Sequence, residues 1–332
     1  MLRTLDDPPC TAYDLAMLDL DGVVYVGHHV VPGVPDRLAS ARRAGMHLAF
    51  ITNNASRAPG AVAAHLRELG VEAVEEDVVT SAQAAAHVLA TRFGRGARVF
   101  LLGGRGLEQA LLEEGLVPVD SAGDSPVAVA SGYGPDLPWR QVMQGAILVR
   151  DGLPWVASNT DHTVPTPDGL GPGHGVLVRM VQDFTGVQPT VAGKPERALL
   201  DETVRRVGGR RPLMVGDRLD TDIEGAHRAG IDSLCVLTGV TGLVELVTAP
   251  PGLRPTYLAP SLSGLLEPHP VPAYDDGVAA LGGWSCLVRH GRLEVTGQGS
   301  AGDWWRVVAT AAWHHLDQTG RPADCAQLAE PT

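Results

Sequence analysis

Three short apolar runs in this chain end in the same way, in small polar or acidic residues. Leu15-Ala16-Met17-Leu18 runs into Asp19-Leu20-Asp21-Gly22, Phe50-Ile51 into Thr52-Asn53-Asn54, and Leu213-Met214-Val215 into Gly216-Asp217. Brief apolar runs of this kind read as strands buried on both faces, as in parallel sheets. Helical patterns lie between them: after the second run, Val62, Leu66 and Leu69 repeat at helical spacing and stop at Gly70. Strands and helices alternating from Leu15 onward predict an α/β chain built on a doubly wound parallel sheet.

The strand ends carry the chemistry. Asp19 and Asp21 crowd negative charge, and like charges that close raise each other's pKa unless a cation lies between them. The pair points to a divalent metal and to phosphoryl transfer, with one carboxylate attacking phosphorus and the other handling protons. Taken alone, the string also fits a strand followed by an Asp-Gly turn. Thr52 and the amides beyond it suit a phosphate oxygen at a strand-to-helix turn, and equally suit a helix N-cap. In Gly193-Lys194-Pro195, Pro195 is placed to open a helix, which leaves Lys194 in the preceding loop. A lone lysine also fits a solvated surface charge. Asp222 falls about one helical turn after Asp217, so both carboxylates can face one site, and oxygen donors of this kind suit Mg²⁺. Asp220 reads as a helix N-cap.

In combination, Asp-x-Asp-Gly, Thr-Asn-Asn, Gly-Lys-Pro and Gly-Asp-x-x-x-Thr-Asp resemble, in this order, the four motifs of the haloacid dehalogenase-like hydrolases. The resemblance runs from about Leu15 to Leu266 and is narrower for the NagD-type, p-nitrophenyl-phosphatase-like subgroup. It implies a Rossmann-like core with an inserted α/β cap. It implies Asp19 as nucleophile, Asp21 as general acid and then base, and Lys194 as charge neutraliser. Thr52 and Asn53 would bind the phosphate, with Asn54 a further substrate-binding residue. Asp217 would ligate Mg²⁺ directly and Asp222 would hold a metal-bound water, completing a metal set with Asp19 and Asp21. The dehalogenase branch lacks the second acid at position 21, and the P-type ATPase branch has Thr there.

The stretch between the second and third motifs is too long for a loop in a compact domain. The expected organisation is a core over residues 1–80 and 187–266, a cap over 81–186, and an extension over 267–332. Within the cap, a helix is predicted around Ser81–Ala90 and strands at Val99–Leu102, Val127–Ser131 and near Trp155–Ala157. The polar loops Ser158-Asn159-Thr160-Asp161-His162 and Gly171-Pro172-Gly173-His174-Gly175 make Asn159, Asp161 and His174 candidate substrate contacts, and each segment is also an ordinary turn sequence. Gly103-Gly104-Arg105-Gly106 follows a strand but lacks the further glycine of a dinucleotide loop, since Gln109 and Ala110 stand there.

The net charge of −12 disfavours a nucleic-acid partner, because phosphate backbones demand clustered Lys and Arg. A small phosphorylated substrate remains compatible, since one lysine and a metal offset the field locally. The four cysteines are scattered without a Cys-x-x-Cys, and there is no signal peptide or long apolar run. The expectation is a reduced, cytoplasmic protein without a membrane partner.

After Leu266 comes a Pro-rich linker, Glu267–Pro272, then two strand-like pieces, Trp284–Val288 and Arg292–Thr296, joined at His290-Gly291. An amphipathic helix follows from Asp303, read as its cap, to about Gln318, with an apolar stripe of Trp304, Val307, Val308, Ala311, Ala312 and Leu316. His314 and His315 are read as solvated. A hairpin and one helix cannot form a core alone, so the tail is expected to pack on the body or on another copy, which leaves a homo-oligomer open. The tail resembles that of the actinobacterial glycerol-3-phosphate phosphatases, described as a fragment of an acetyltransferase fold, and the expectation here is no acetyl-CoA site. The resemblance implies a phosphatase for glycerol 3-phosphate. The alternatives are phosphoglycolate or another short phospho-acid or phospho-sugar, or a regulatory binding protein acting through the tail.

Overall fold

The computed structural model describes residues 1–166 and 169–331. They form two compact units, Met1–Leu48 with Gly209–Thr332, and Ala49–Gly208. The class is the expected α/β one: parallel sheets flanked by helices, with a Rossmann-like core.

In the first unit four parallel strands lie in the order Tyr257–Ala259, Asp232–Val236, Pro212–Gly216 and Leu15–Asp19. Leu15, Ala16, Met17 and Leu18 are all buried, as a strand covered on both faces requires. The register sets Leu18 opposite Val215, so Asp19 and Gly216-Asp217 leave the sheet at the same edge. That carboxyl edge is where open parallel sheets bind ligands.

The second unit holds a five-stranded parallel sheet ordered Thr190–Val191, Trp155–Ala157, Ala128–Ser131, Arg98–Leu102 and Val117–Val119. Its fifth strand lies beyond Gly186, the end expected for the cap. The helix Ser81–Phe93 opens with a capping box: Gln83 N–H donates to Thr80 Oγ1 at 3.3 Å and Thr80 N–H to Gln83 Oε1 at 2.9 Å. In Gly103-Gly104-Arg105-Gly106 the glycines serve packing. The helix Arg105–Glu113 starts there, and a Cβ on Gly106 would strike the main chain of Ala55 and Ser56.

The tail differs from its expected form. It is a four-stranded antiparallel sheet, Ala273–Asp275, Val278–Leu281, Trp284–Arg289 and Arg292–Gly297, followed by the helix Ala301–Thr319. Each hairpin is closed by two residues with positive φ: Asp276-Gly277, Gly282-Gly283 and His290-Gly291. Such turns match the twist of the strands they join. Asp-Gly was the available signal for the two strands that the sequence reading omits. The helix cap is Ser300, whose Oγ accepts from Asp303 N–H at 3.1 Å, so Asp303 is its third helical residue and not the cap.

All ten residues from Trp304 to Trp313 are buried, so the helix is covered on all sides and not along one stripe. Its side chains share one core with Leu243, Leu246, Val247 and Leu258 of the main body and with Ala279, Cys286 and Leu293 of the small sheet. Trp313 Nε1–H donates to Leu246 O at 2.8 Å, and Arg254 grips Asp317 with two bonds of 2.7 Å. His314 stacks on Tyr274 at 3.7 Å between centroids and is therefore not simply solvated. The Pro-rich segment is pinned as well, because His269 pairs with Leu5 through bonds of 2.8 and 3.0 Å. The tail is thus part of the first unit's core.

Replacing Trp313 by alanine should lower the unfolding free energy by about 3–5 kcal/mol. Truncation after Pro270 should depress the melting temperature sharply. A tail-specific transition well below the main one in calorimetry would contradict a shared core.

His269 Nε2–H donates to Gly264 O at 2.7 Å, and its Nδ1 faces Arg306 Nη2 at 3.3 Å. Burial, and secondarily Arg306, hold its pKa down to about 4. The unfolded chain binds this proton more readily, so the stabilisation is complete above about pH 6.5 and is lost as pH falls towards 4. His269→Gln should flatten that part of the pH profile of the melting temperature.

Candidate active site

The carboxyl edge of the first unit's sheet gathers Asp19, Asp217 and Asp222, whose ligand oxygens all lie within 4.8 Å of one another. Asp222 is fully buried and Asp217 nearly so. The backbone meets part of this charge. Val240 N–H donates to Asp217 Oδ2 at 2.7 Å, and Asp222 Oδ2 accepts from the N–H groups of Asp217 and Arg218 at 3.2 and 3.1 Å. These bonds favour the ionised carboxylates. Asp222 is brought round by an i→i+5 turn over Leu219–Ile223, from which the helix Glu224–Ala229 continues. Asp220 is not the helix cap expected of it; it pairs outward with Arg218 at 2.8 Å.

Two glycines shape the pocket around Asp217. A Cβ on Gly22 or on Gly239 would run into the Asp217 carboxylate, and Gly22 also needs its positive φ of 83°. Gly22 belongs to the Asp-x-Asp-Gly string. Gly239 and Val240 carried no signal, since Leu237-Thr238-Gly239-Val240-Thr241 reads as an ordinary loop. Three hard oxygen donors in a cradle this close fit Mg²⁺. Asp21 is exposed and lies outside this group, so among the described residues its carboxylate is not gathered with the other three.

The second unit gathers a different set. Asn53 Oδ1 accepts from Lys194 N–H at 2.8 Å, and Asn53 Nδ2 donates to Lys194 O at 3.0 Å and to Asp161 Oδ1 at 3.1 Å. Asn159 Nδ2 donates to Asn53 O at 2.6 Å, and Asn159 Oδ1 accepts from Asp161 N–H at 3.1 Å. Lys194 is 2% exposed, so it is not a solvated surface charge. The helix after it begins at Ala198, three residues past Pro195, which therefore does not open it. Thr52 Oγ1 accepts from Asn54 N–H at 3.1 Å, and Asn54 Oδ1 binds Ser56 N–H at 2.8 Å. Neither caps a helix, since the next one starts at Pro59 behind Ala58.

His174 is the first residue of the helix His174–Thr185 and not part of a turn. Its Nδ1 lies 2.9 Å from Asn159 O, which fixes the proton on Nδ1, and burial pulls its pKa down to about 4. The imidazole is neutral at pH 7, and its Nε2 has no hydrogen-bond partner among the described residues. A second acidic group in this unit, His87, Glu114 and Glu202, is already met by Arg205 and Arg206 and reads as an ion-pair network.

Family models for haloacid dehalogenase-like hydrolases match residues 16–117 and 191–265. The chain is 43% identical over 310 residues to the D-glycerol 3-phosphate phosphatase of Mycobacterium tuberculosis, covering 91% of this chain and 86% of that one. The chain belongs to the haloacid dehalogenase-like hydrolases. A solved glycerol phosphate phosphatase from Mycobacterium tuberculosis in complex with magnesium superposes with a TM-score of 0.86 at 41% identity, over 96% of this chain and 94% of that one. A 4-nitrophenylphosphatase from Thermotoga maritima gives 0.71 at 31% identity, covering 98% of its own length but 78% of this chain.

Gly239 has no positive φ to preserve, and an added Cβ would meet the Asp217 carboxylate first and Gly22 Cα, at 2.8 Å, second, so Gly239→Ala tests the cradle as a whole. The added methyl should displace the Asp217 carboxylate and weaken Mg²⁺ binding about 10- to 100-fold by calorimetry. Unchanged affinity would refute the assignment of Asp217 to the metal.

Proposed function

We propose that this chain is a Mg²⁺-dependent phosphatase that hydrolyses a small phosphomonoester through an aspartyl-phosphate, with glycerol 3-phosphate as its substrate. The observation that carries the reading is the convergence of Asp19, Asp217 and Asp222 at one strand edge. The substrate rests on the likeness to the glycerol phosphate phosphatases, which extends through the C-terminal extension.

In this reading the Asp19 carboxylate attacks phosphorus, the ester P–O bond breaks, and Asp21 gives its proton to the departing alcohol. Asp21 then takes a proton from water as that water attacks phosphorus, and the Asp19–phosphate bond breaks to release phosphate. Bound Mg²⁺ supplies positive charge against the transferring group. Lys194 and Thr52 serve the phosphate oxygens. No Lys or Arg stands between Gly152 and His174, which favours an uncharged remainder on the substrate over a second anionic group. The four free, buried thiols support a reduced, cytoplasmic setting.

Phosphate release should be measured across a panel of glycerol 3-phosphate, phosphoglycolate and sugar phosphates with Mg²⁺, and again after chelation. Glycerol 3-phosphate should give the highest kcat/KM, and EDTA should abolish turnover reversibly. Asp19→Asn should lower turnover at least about a hundredfold while leaving the melting temperature near that of the unmodified protein. A tenth of the original activity surviving in that variant would remove Asp19 as nucleophile.

A further inference from the structure

Asn53 is one of the residues that the motif pattern offers to the phosphate, yet its polar atoms are turned inward. Its own carbonyl accepts from Ser81 Oγ and from Asn159 Nδ2. Its carboxamide meets Lys194 at two points, Oδ1 with the N–H and Nδ2 with the C=O. Because a main-chain N–H only donates and a C=O only accepts, this double contact fixes which end of the carboxamide is oxygen. The second Nδ2 hydrogen goes to Asp161 Oδ1. With both hydrogens engaged and the residue 8% exposed, the side chain has no donor left for a phosphate oxygen.

The group behind it is equally closed. Asn159 directs its Nδ2 to Asn53 O and to Ser158 Oγ, and its Oδ1 receives Asp161 N–H. The buried His174 holds the carbonyl of Asn159. The loop before Lys194 presses so near that a Cβ on Gly193 would lie 2.6 Å from both Asn53 Oδ1 and Ser158 O.

We propose that Asn53 is a positioning residue: its carboxamide clamps the main chain of Lys194 and orients Asp161, with Asn159 and His174 as its buttress. It acts on the reaction through Lys194 and not as a phosphate ligand. This rests on the proposed role of Lys194 in neutralising the phosphate.

A double-mutant cycle on the full-length protein tests it, with p-nitrophenyl phosphate and Mg²⁺. Asn53→Asp keeps the size and the acceptor for Lys194 N–H but removes both donated bonds. It should lower kcat by about ten- to a hundredfold. In a Lys194→Ala background the same change should alter the residual rate by no more than about twofold, because the group it positions is gone. An equal loss in both backgrounds would show that Asn53 acts independently of Lys194 and overturn the proposal, as would an undiminished kcat in Asn53→Asp alone. Should Asn53→Asp fail to fold, Asn53→Ser enters the same cycle with the same criteria. If Lys194→Ala by itself leaves turnover intact, it is the role given to Lys194 that fails, and the cycle distinguishes this outcome from the others.

Discussion

Three carboxylates within 4.8 Å of one another are the constraint around which the first unit is organised. Like charges so close in a buried setting are unfavourable unless something compensates for them. The parallel register brings two strand ends to one edge and so creates the crowding, and the chain answers with three main-chain N–H groups. Two glycines, Gly22 and Gly239, then leave room for Asp217. Such a cluster suits a divalent cation and a phosphoryl group.

The second unit solves a different problem, holding a buried lysine in place. A short strand end, Thr52-Asn53, and a loop, Gly193-Lys194, are tied by the Asn53 carboxamide, which bonds both the C=O and the N–H of Lys194. The histidine at the start of a helix contributes because it is neutral, which its burial ensures. Polar groups buried this deeply are tolerated because nearly all of them have partners.

The motif strings were legible because each joins an apolar run to a polar end, and the parallel sheet follows from that alternation. Hydrogen-bond direction was not legible: nothing in Thr-Asn-Asn reveals that Asn53 turns towards Lys194 while Asn54 folds onto Ser56. Asp220 and Asp222 are chemically identical in sequence, and only the wide turn over Leu219–Ile223 sends one inward and the other to Arg218. Gly239 was invisible because its role depends on a contact with a residue 22 positions earlier, Asp217. In the tail, Asp276-Gly277 is as good a hairpin signal as His290-Gly291, but the flanking strands are too short and too partly buried to alternate clearly.

The burial of the helix Ala301–Thr319 between the small sheet and the body also sets an order in time. The unit Ala49–Gly208 is one continuous stretch and has left the ribosome complete before the last third of the chain is made. The other unit begins with the first strand but lacks Trp304 to Trp313 until almost all 332 residues are joined. At roughly 5–20 residues per second, the body's share of that core, from Leu219 to Leu258, therefore waits on the order of several seconds with apolar surface uncovered. The C-terminal helix acts as the closing piece of a core begun at Leu219, and a chain released early leaves that core open to solvent and to chaperones.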